Sequence, residues 1–390
     1  MATIGDVCTV VNGGTPKTGV SRYWAGPHQW ITPAEMGRRS TPYIERTERT
    51  ISDTGLQNSS ARPLPPYSVI LSSRAPIGHL VINTVPMATN QGCKGLVPGN
   101  RIDHKFLYYF LGSIVDLLNN LGTGATFKEL SGGKLKEVLV PLPPLSEQRR
   151  IVAILDEAFE GIATAKANAE KSLNNARELF DSHLYEVFTN EAGGWIQKRL
   201  QDVCAKITDG THQTPKYFSE GVIFLSSRNV TSGKIDWDNI KYIDTKQHIE
   251  MHRRVAPRTN DILLAKNGTT GVAAIVDRDV IFDIYVSLAL IRSLGSVLPK
   301  FLLHFINSPV AKLQFNKRLK GIGVPNLHLE EIREVLIKFP ESLAAQGKVL
   351  LWLDELRDQV EILESVCHRR AAALGELKKS LLHQAFSGAL

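Results

Sequence analysis

Pro143-Pro144-Leu145-Ser146-Glu147-Gln148-Arg149-Arg150-Ile151 is the stretch that decides the fold. Two prolines stop an extended run, Ser146 is placed to cap, and Glu147 and Gln148 lie in a first helical turn. From there to Phe188 no proline interrupts the chain. Apolar positions fall at Ile151, Leu155, Ala158, Ile162, Ala165, Ala169, Ala176 and Phe180, mostly in alternating steps of four and three. That is a heptad seam rather than a broad amphipathic face. A second seam runs through Val349, Leu353, Leu356, Val360, Leu363, Cys367, Leu374 and Leu381. Most of it is the first seam shifted by 198 residues, Ile151 to Val349. A period of 3.5 residues predicts two helices wound on each other.

Working outward, the rest of the chain repeats as well. Ile4-Gly5-Asp6-Val7-Cys8 returns as Leu200-Gln201-Asp202-Val203-Cys204, and Gly14-Thr15 as Gly210-Thr211. Val69-Ile70-Leu71-Ser72-Ser73-Arg74 answers Ile262-Leu263-Leu264-Ala265-Lys266-Asn267. Phe106–Leu111 answers Phe301–Ile306, and Leu135–Val140 answers Ile332–Ile337. Residues 1–145 and 195–343 are rich in turn formers around short β-like runs such as Val69–Ser72 and Leu80–Ile82, with a helix expected near Phe106–Asn119. The fold class expected is α+β: two similar globular domains separated by two long helices, 146–190 and 344–390, in a pseudo-two-fold internal repeat. Helix one leaves domain one and reaches domain two; helix two must run back to pair with it, so the coiled coil is antiparallel. A helix of about 40 residues is about 60 Å long, the span of about 18 base pairs of duplex.

Composition sets the partner class. The chain of 390 residues carries a net charge of +7. Residues 146–190 hold five basic and eight acidic side chains and 344–390 hold six of each, so the globular parts carry +10. Positive charge on the domains and not on the spacer favours a polyanion read by the domains. No run of about 18 apolar residues suggests a membrane span, and Met1–Asp6 lacks the pattern of a secretory leader. A cytoplasmic protein is expected. Cys8, Cys93, Cys204 and Cys367 form no Cys-x-x-Cys pair and read as reduced, buried thiols.

Leu71-Ser72-Ser73-Arg74-Ala75-Pro76-Ile77-Gly78 with Thr89-Asn90-Gln91-Gly92 resembles the target-recognition domains of type I restriction–modification specificity subunits. Pro143–Ile151 resembles the start of that family's central helix, and Ser380-Leu381-Leu382-His383-Gln384-Ala385-Phe386-Ser387-Gly388 its C-terminus. The second copy departs at Pro340-Glu341-Ser342-Leu343-Ala344-Ala345-Gln346, where Ala345 stands for Glu147, and at Tyr285–Leu290, where no Asn-Gln-Gly recurs. The resemblance implies a non-catalytic subunit for double-stranded DNA. Each domain would read one half of a split target. The helices would fix the gap and dock two modification (adenine methyltransferase) subunits, and two restriction subunits would join in the endonuclease. S-adenosylmethionine, ATP and Mg would belong to those partners, and no cofactor to this chain.

Chemistry of its own is not legible. No Gly-x-x-x-x-Gly-Lys-Ser/Thr loop occurs, nor the Asn/Asp-Pro-Pro-aromatic tetrapeptide of amino-methyltransferases. Gly122-Thr123-Gly124 reads as a turn. His248 and His252 stand one helical turn apart, but no third ligand is evident, so no metal is expected. Candidate DNA contacts in domain one are Thr15, Lys17, Arg22, Arg38, Arg39, Arg74, Asn90, Gln91 and Lys94. In domain two they are His212, Lys216, Arg228, Asn229, Lys234, Lys266, Asn267 and Lys320. Arginine reads guanine through a bidentate fork, Asn or Gln reads adenine, and Lys holds phosphate. Gly13-Gly14-Thr15-Pro16-Lys17 and Asp209-Gly210-Thr211-His212 sit at matched positions and read equally as a shared element that brings backbone to the ligand or as tight turns with no ligand.

Overall fold

The computed structural model of the protein describes every residue except Ser40, 125–127, Ala192, Ser232, 268–269 and 320–325. The chain divides into two compact units: Met1–Ala169 with Arg369–Leu390, and Glu170–His368. Each unit takes part of both long helices, Leu145–Thr189 and Leu343–Ser387. The helices cannot be cut away from the domains because they complete the cores. Ile151, Leu155 and Ala385 belong to the first unit's main core. Leu184, Phe188, Leu350 and Leu353 belong to the second's.

The first unit builds a five-stranded sheet in the order Cys8–Asn12, Cys93–Pro98, Val69–Ser73, Ile77–Asn83, Tyr43–Ile44. A three-stranded sheet runs Arg49–Ile51, Trp24–Ile31, Met87–Thr89, its last pair parallel. The second unit repeats this plan. Cys204–Asp209, Leu288–Ser293, Ile262–Ala265 and Ala273–Ile275 form a four-stranded sheet. Lys241–Ile243, Val222–Leu225 and Phe282–Ile284 form the smaller one, again with its last pair parallel. The central strands are wholly buried and mostly apolar, which suits a strand covered on both faces. Their alternation divides two cores. Val69 and Leu71 face the helix-side cluster and Ile70 the other; Ile262 and Leu264 against Leu263 and Ala265 do the same.

The helix expected over Phe106–Asn119 is two helices, His104–Ser113 and Val115–Leu121. Asp103 caps the first through the Lys105 and Phe106 amides. Gly112 and Ser113, both poor helix formers, precede the break at Ile114. The first long helix begins at Leu145, so Ser146 lies inside the first turn instead of capping it.

Both long helices are fastened in the same way. Gln148 is wholly buried. Its Oε1 accepts from the Asp103 amide at 2.8 Å, and its Nε2 donates to the Arg101 and Pro143 carbonyls at 3.0 and 2.8 Å. Gln346, also wholly buried, accepts from the Leu298 amide at 2.9 Å and donates to Ser296 and Pro340 at 2.9 and 2.8 Å. Two turns further on, Asp156 accepts from Lys105 Nζ at 2.6 Å and from the Tyr109 hydroxyl. Asp354 meets Lys300 Nζ at 3.4 Å and His304 Nε2 at 2.9 Å.

Within each unit the two helix segments run antiparallel. In the first, the Lys378 ammonium sits 4.8 Å over Phe159 and Arg150 donates to the Leu390 carbonyl at 3.0 Å. In the second, Arg177 pairs with Glu364 at 2.7 Å and His183 meets Trp352 at 5.1 Å. Ile151, Leu155, Ile162 and Leu353 are buried, and Ala158, Val349, Leu356, Val360 and Leu363 are half-buried. Ala165 departs from the seam reading: it is exposed. A methyl group is too short to cover itself at an interhelical distance of about 8–10 Å. Among the described residues, no helix is long and apolar enough to cross a membrane. All four cysteines are buried, and none forms a disulfide among the described residues. Burial pushes the Cys8, Cys93 and Cys204 thiols up to about 12.

Candidate nucleic-acid interface

In the first unit, three chain segments meet at one end of the larger sheet. Strand Cys8–Asn12 ends there, Val69–Ser73 ends there, and Cys93–Pro98 begins there, with Asn12 and Leu71 both opposite Lys94. The loops beyond carry Thr15, Arg74, Asn90 and Gln91. The Asn90 amide nitrogen donates to Thr15 Oγ1 at 2.9 Å, and its Oδ1 accepts from the Gly92 amide at 2.8 Å. Arg74, about one-third exposed, lies 3.6 Å from Glu129. Lys94 is 6% exposed, with its ammonium 3.9 Å from the same carboxylate. Gln91 is exposed. Two cations share one carboxylate here, which leaves a positive balance beside a fixed amide.

The corresponding end of the second unit is built around Asp209, which is buried. Lys266 approaches it at 3.2 Å, Arg254 at 2.8 Å and His212 at 3.3 Å. Burial pushes the Asp209 carboxyl up, but Lys266 and His212 outweigh it and hold it below the usual carboxylate value. Asn267 is paired across an isolated bridge with Asn326, and among the described residues neither of their buried side-chain oxygens has a partner. The sheet-end residues are thus cationic and amide in both units but are not the same residues.

Other expected contacts lie elsewhere or are engaged. Arg38 pairs with Glu48 at 2.7 Å, and Arg39 with Glu35 at 2.9 Å. Lys17 and Arg22 are exposed in the loop before strand Trp24–Ile31 and in the turn leading into it. Lys216 is exposed, its backbone held by Gln247. Arg228 is exposed. Asn229 is buried and structural: it accepts from the Ser226 amide and donates to the Asp236 and Asn239 carbonyls. Lys234 reaches a long helix, bonding Glu361 at 2.7 Å. Lys320 lies outside the described residues.

The glycine loops favour the second of their two readings, tight turns. A Cβ on Gly13 would stand 1.9 Å from the Asn90 carbonyl oxygen, and on Gly210 1.9 Å from that of Ile284. The Gly13, Gly14 and Thr211 amides bond to Cys93, Thr89 and Ile284. These glycines let the protein's own backbone come close, and those amides are already used. Two residues unmarked in the sequence, Glu129 and Arg254, complete the clusters, and the sequence marks Asp209 only for the backbone of its loop. Asp209 ends the strand that answers Cys8–Asn12 in the other unit, and only that equivalence could have singled out its carboxylate.

The sequence model described as the type I restriction modification DNA specificity domain matches residues 1–175 and 193–366. The MjaIX type I restriction enzyme specificity subunit of Methanocaldococcus jannaschii is 33% identical over 249 residues, covering 59% of this chain and 57% of that protein. The EcoBI specificity subunit of Escherichia coli is 23% identical over 332 residues, covering 78% and 70%. Among solved structures, a chain from a study of complex assembly and conformational transition of the type I R-M system superposes with a TM-score of 0.79 at 20% identity, covering 100% of this chain and 97% of that one. The HsdS subunit of Thermoanaerobacter tengcongensis gives 0.57 at 20% identity, covering 100% and 96%. These two likenesses concern the fold. With its two matched regions spanning most of its length, the chain belongs to the type I restriction–modification DNA specificity family.

Proposed function

We propose that this chain is the non-catalytic specificity subunit of a type I restriction–modification complex, each unit reading one half of a bipartite double-stranded DNA target. The observation that carries the reading is the pair of sheet ends. The two units repeat one topology and one helix attachment, yet Thr15, Arg74, Asn90, Gln91 and Lys94 stand at one end and His212, Lys266 and Asn267 at the other. Two readers of common build and different side chains suit two different half-targets. Arg74, Asn90 and Gln91 have the donors for purine edges in the major groove. Lys94 and Lys266 are buried against carboxylates and act on the reader surface by fixing its build and its positive charge. Lys17, Arg22, Arg38, Arg39, Lys216, Arg228 and Lys234 would supply backbone contacts around them.

In this reading the long helices set the gap between half-sites and dock two adenine methyltransferase subunits, and two ATP-dependent restriction subunits join them. S-adenosylmethionine, ATP and Mg bind those subunits, and the complex works on DNA in the cytoplasm. The test is to express the chain with the methyltransferase encoded beside it and to map N6-methyladenine in host DNA. The expected result is one new motif of two short defined halves around a fixed undefined gap. No new methylation from a soluble complex with an active methyltransferase would overturn the reading in favour of a partner-free DNA-binding protein.

A further inference from the structure

Helix Thr245–Arg254 in the second unit has no buried residue, yet it lies against strand Phe282–Ile284. An apolar face does not hold it there. His248 Nδ1 lies 2.7 Å from Asp283 Oδ2, and His252 Nδ1 lies 3.1 Å from Asp283 Oδ1. The two imidazoles stand 4.7 Å apart, centre to centre. Asp283 is 1% exposed, and among the described residues no Lys or Arg pairs with it. The first unit shows what this position holds otherwise. Asp283 faces Phe224 across a parallel strand pair, and the equivalent register pairs Trp30 with Ala88. Ala88 there packs in a small apolar core with Trp30, Ile51 and Ala61. The second unit has put a carboxylate where the first keeps a methyl group, and has brought two imidazoles to it from one helical turn.

A buried carboxylate needs a cation. The three side chains offer ligand atoms that all lie within 4.8 Å of one another. Metal–ligand distances of about 2.0–2.2 Å put donor atoms roughly 3.3 Å apart around a tetrahedral ion, close to the two imidazole–carboxylate separations of 2.7 and 3.1 Å. Two nitrogens and one oxygen select a borderline ion such as zinc over magnesium or calcium, which take oxygen. Three protein ligands, with His252 partly exposed, leave room for water.

We propose that His248, His252 and Asp283 bind one divalent transition-metal cation of the zinc class, which clamps helix Thr245–Arg254 to the strand. The same helix carries Gln247, which holds the backbone of Lys216, and Arg254, which bonds Asp209. The clamp therefore orders the flank of the sheet end that carries His212 and Lys266. The site does not depend on what that end reads.

The test uses the full chain, free of any affinity tag and stripped with a chelator. Cobalt(II) is titrated as a spectroscopic probe, followed by zinc(II) in competition. One equivalent is expected to bind, with visible d–d absorption and two hyperfine-shifted imidazole N–H resonances, and zinc is expected to raise the melting temperature. His252→Ala removes a partly exposed ligand and leaves the core intact; it should weaken binding at least tenfold. Asp283→Asn should do the same, and the wild-type resonances decide the matter if that variant does not fold. A chain that takes up no metal at one equivalent overturns the proposal. So does wild-type affinity retained in His252→Ala and in His248→Ala, which would place the ion elsewhere.

Discussion

Gln148 and Gln346 make the same three hydrogen bonds in two units whose sheet ends share hardly a side chain. In the first unit, two cations share the single carboxylate of Glu129. In the second, Lys266, Arg254 and His212 gather on buried Asp209. Among the described residues, the half-buried Asn90 bound to Thr15 has no counterpart there. The difference separates two kinds of constraint. A junction that fixes a helix direction tolerates one solution, because a buried amide with three partners has one geometry that satisfies them all. A surface that contacts another molecule is free to vary on the same scaffold.

The largest effect expected from this comparison is at the junction. Gln148→Ala leaves the Asp103 amide and two carbonyls unpaired in a buried place, and Gln346→Ala does the same for Leu298, Ser296 and Pro340. At about 1 kcal/mol per hydrogen bond, each variant should lose about 3 kcal/mol of stability, read by denaturant unfolding. A large loss for one and none for the other would break the equivalence of the two junctions. Next comes the sheet end. Arg74→Ala should relax one half of the methylated motif, at a cost of about 1–3 kcal/mol if its fork meets a base. Lys266→Ala should weaken the other half. Methylome mapping of both variants checks this, and loss of selectivity in both halves from either one would refute separate readers. Arg38→Ala, an exposed partner of Glu48, should change DNA affinity least of the three.

Much of this scaffold was legible in the sequence, because repetition amplifies weak signals. One buried apolar run is ambiguous, but Val69–Ser73 and Ile262–Ala265 in matched places mark a central strand. The long helices follow from spacing alone. Ala165 shows the limit of that argument: period places a residue on a face, and side-chain reach decides whether it is covered. The glutamines were also in view. The second copy changes Glu147 to Ala345 and keeps Gln346, and that retention beside an altered neighbour was the sign of a buried role. The sheet ends were less legible, because Asn229 and Arg228 look alike in a turn-rich stretch. Only the fold shows that one caps a loop and the other is exposed. His248 and His252 lacked a third group in sequence because Asp283 lies 31 residues beyond His252 and meets it only through strand pairing.

The smallest expected effect sharpens the comparison at Asp156 and Asp354. Tyr109 contacts the first carboxylate and His304 the second. Burial, together with Asp156, pushes the Tyr109 hydroxyl up, so it stays protonated across the ordinary pH range. Burial lowers the His304 imidazole below its ordinary 6.5, against the opposing pull of Asp354. Near that value the unfolded chain binds more protons at this position than the folded one. The contribution of His304 to stability is therefore full above 6.5 and declines as pH falls below it. His304→Tyr copies the first unit's solution and should remove that part of the acid-side decline, whereas Tyr109→His should add a decline to the first unit. Melting temperatures of the three proteins between about pH 7.5 and 5.5 measure the difference directly. Because each variant is compared with wild type at the same pH, the other histidines cancel and the slope that remains belongs to this position. Equal slopes in all three would mean that burial does not perturb the imidazole and that the two carboxylate anchors are equivalent in charge as well as in place.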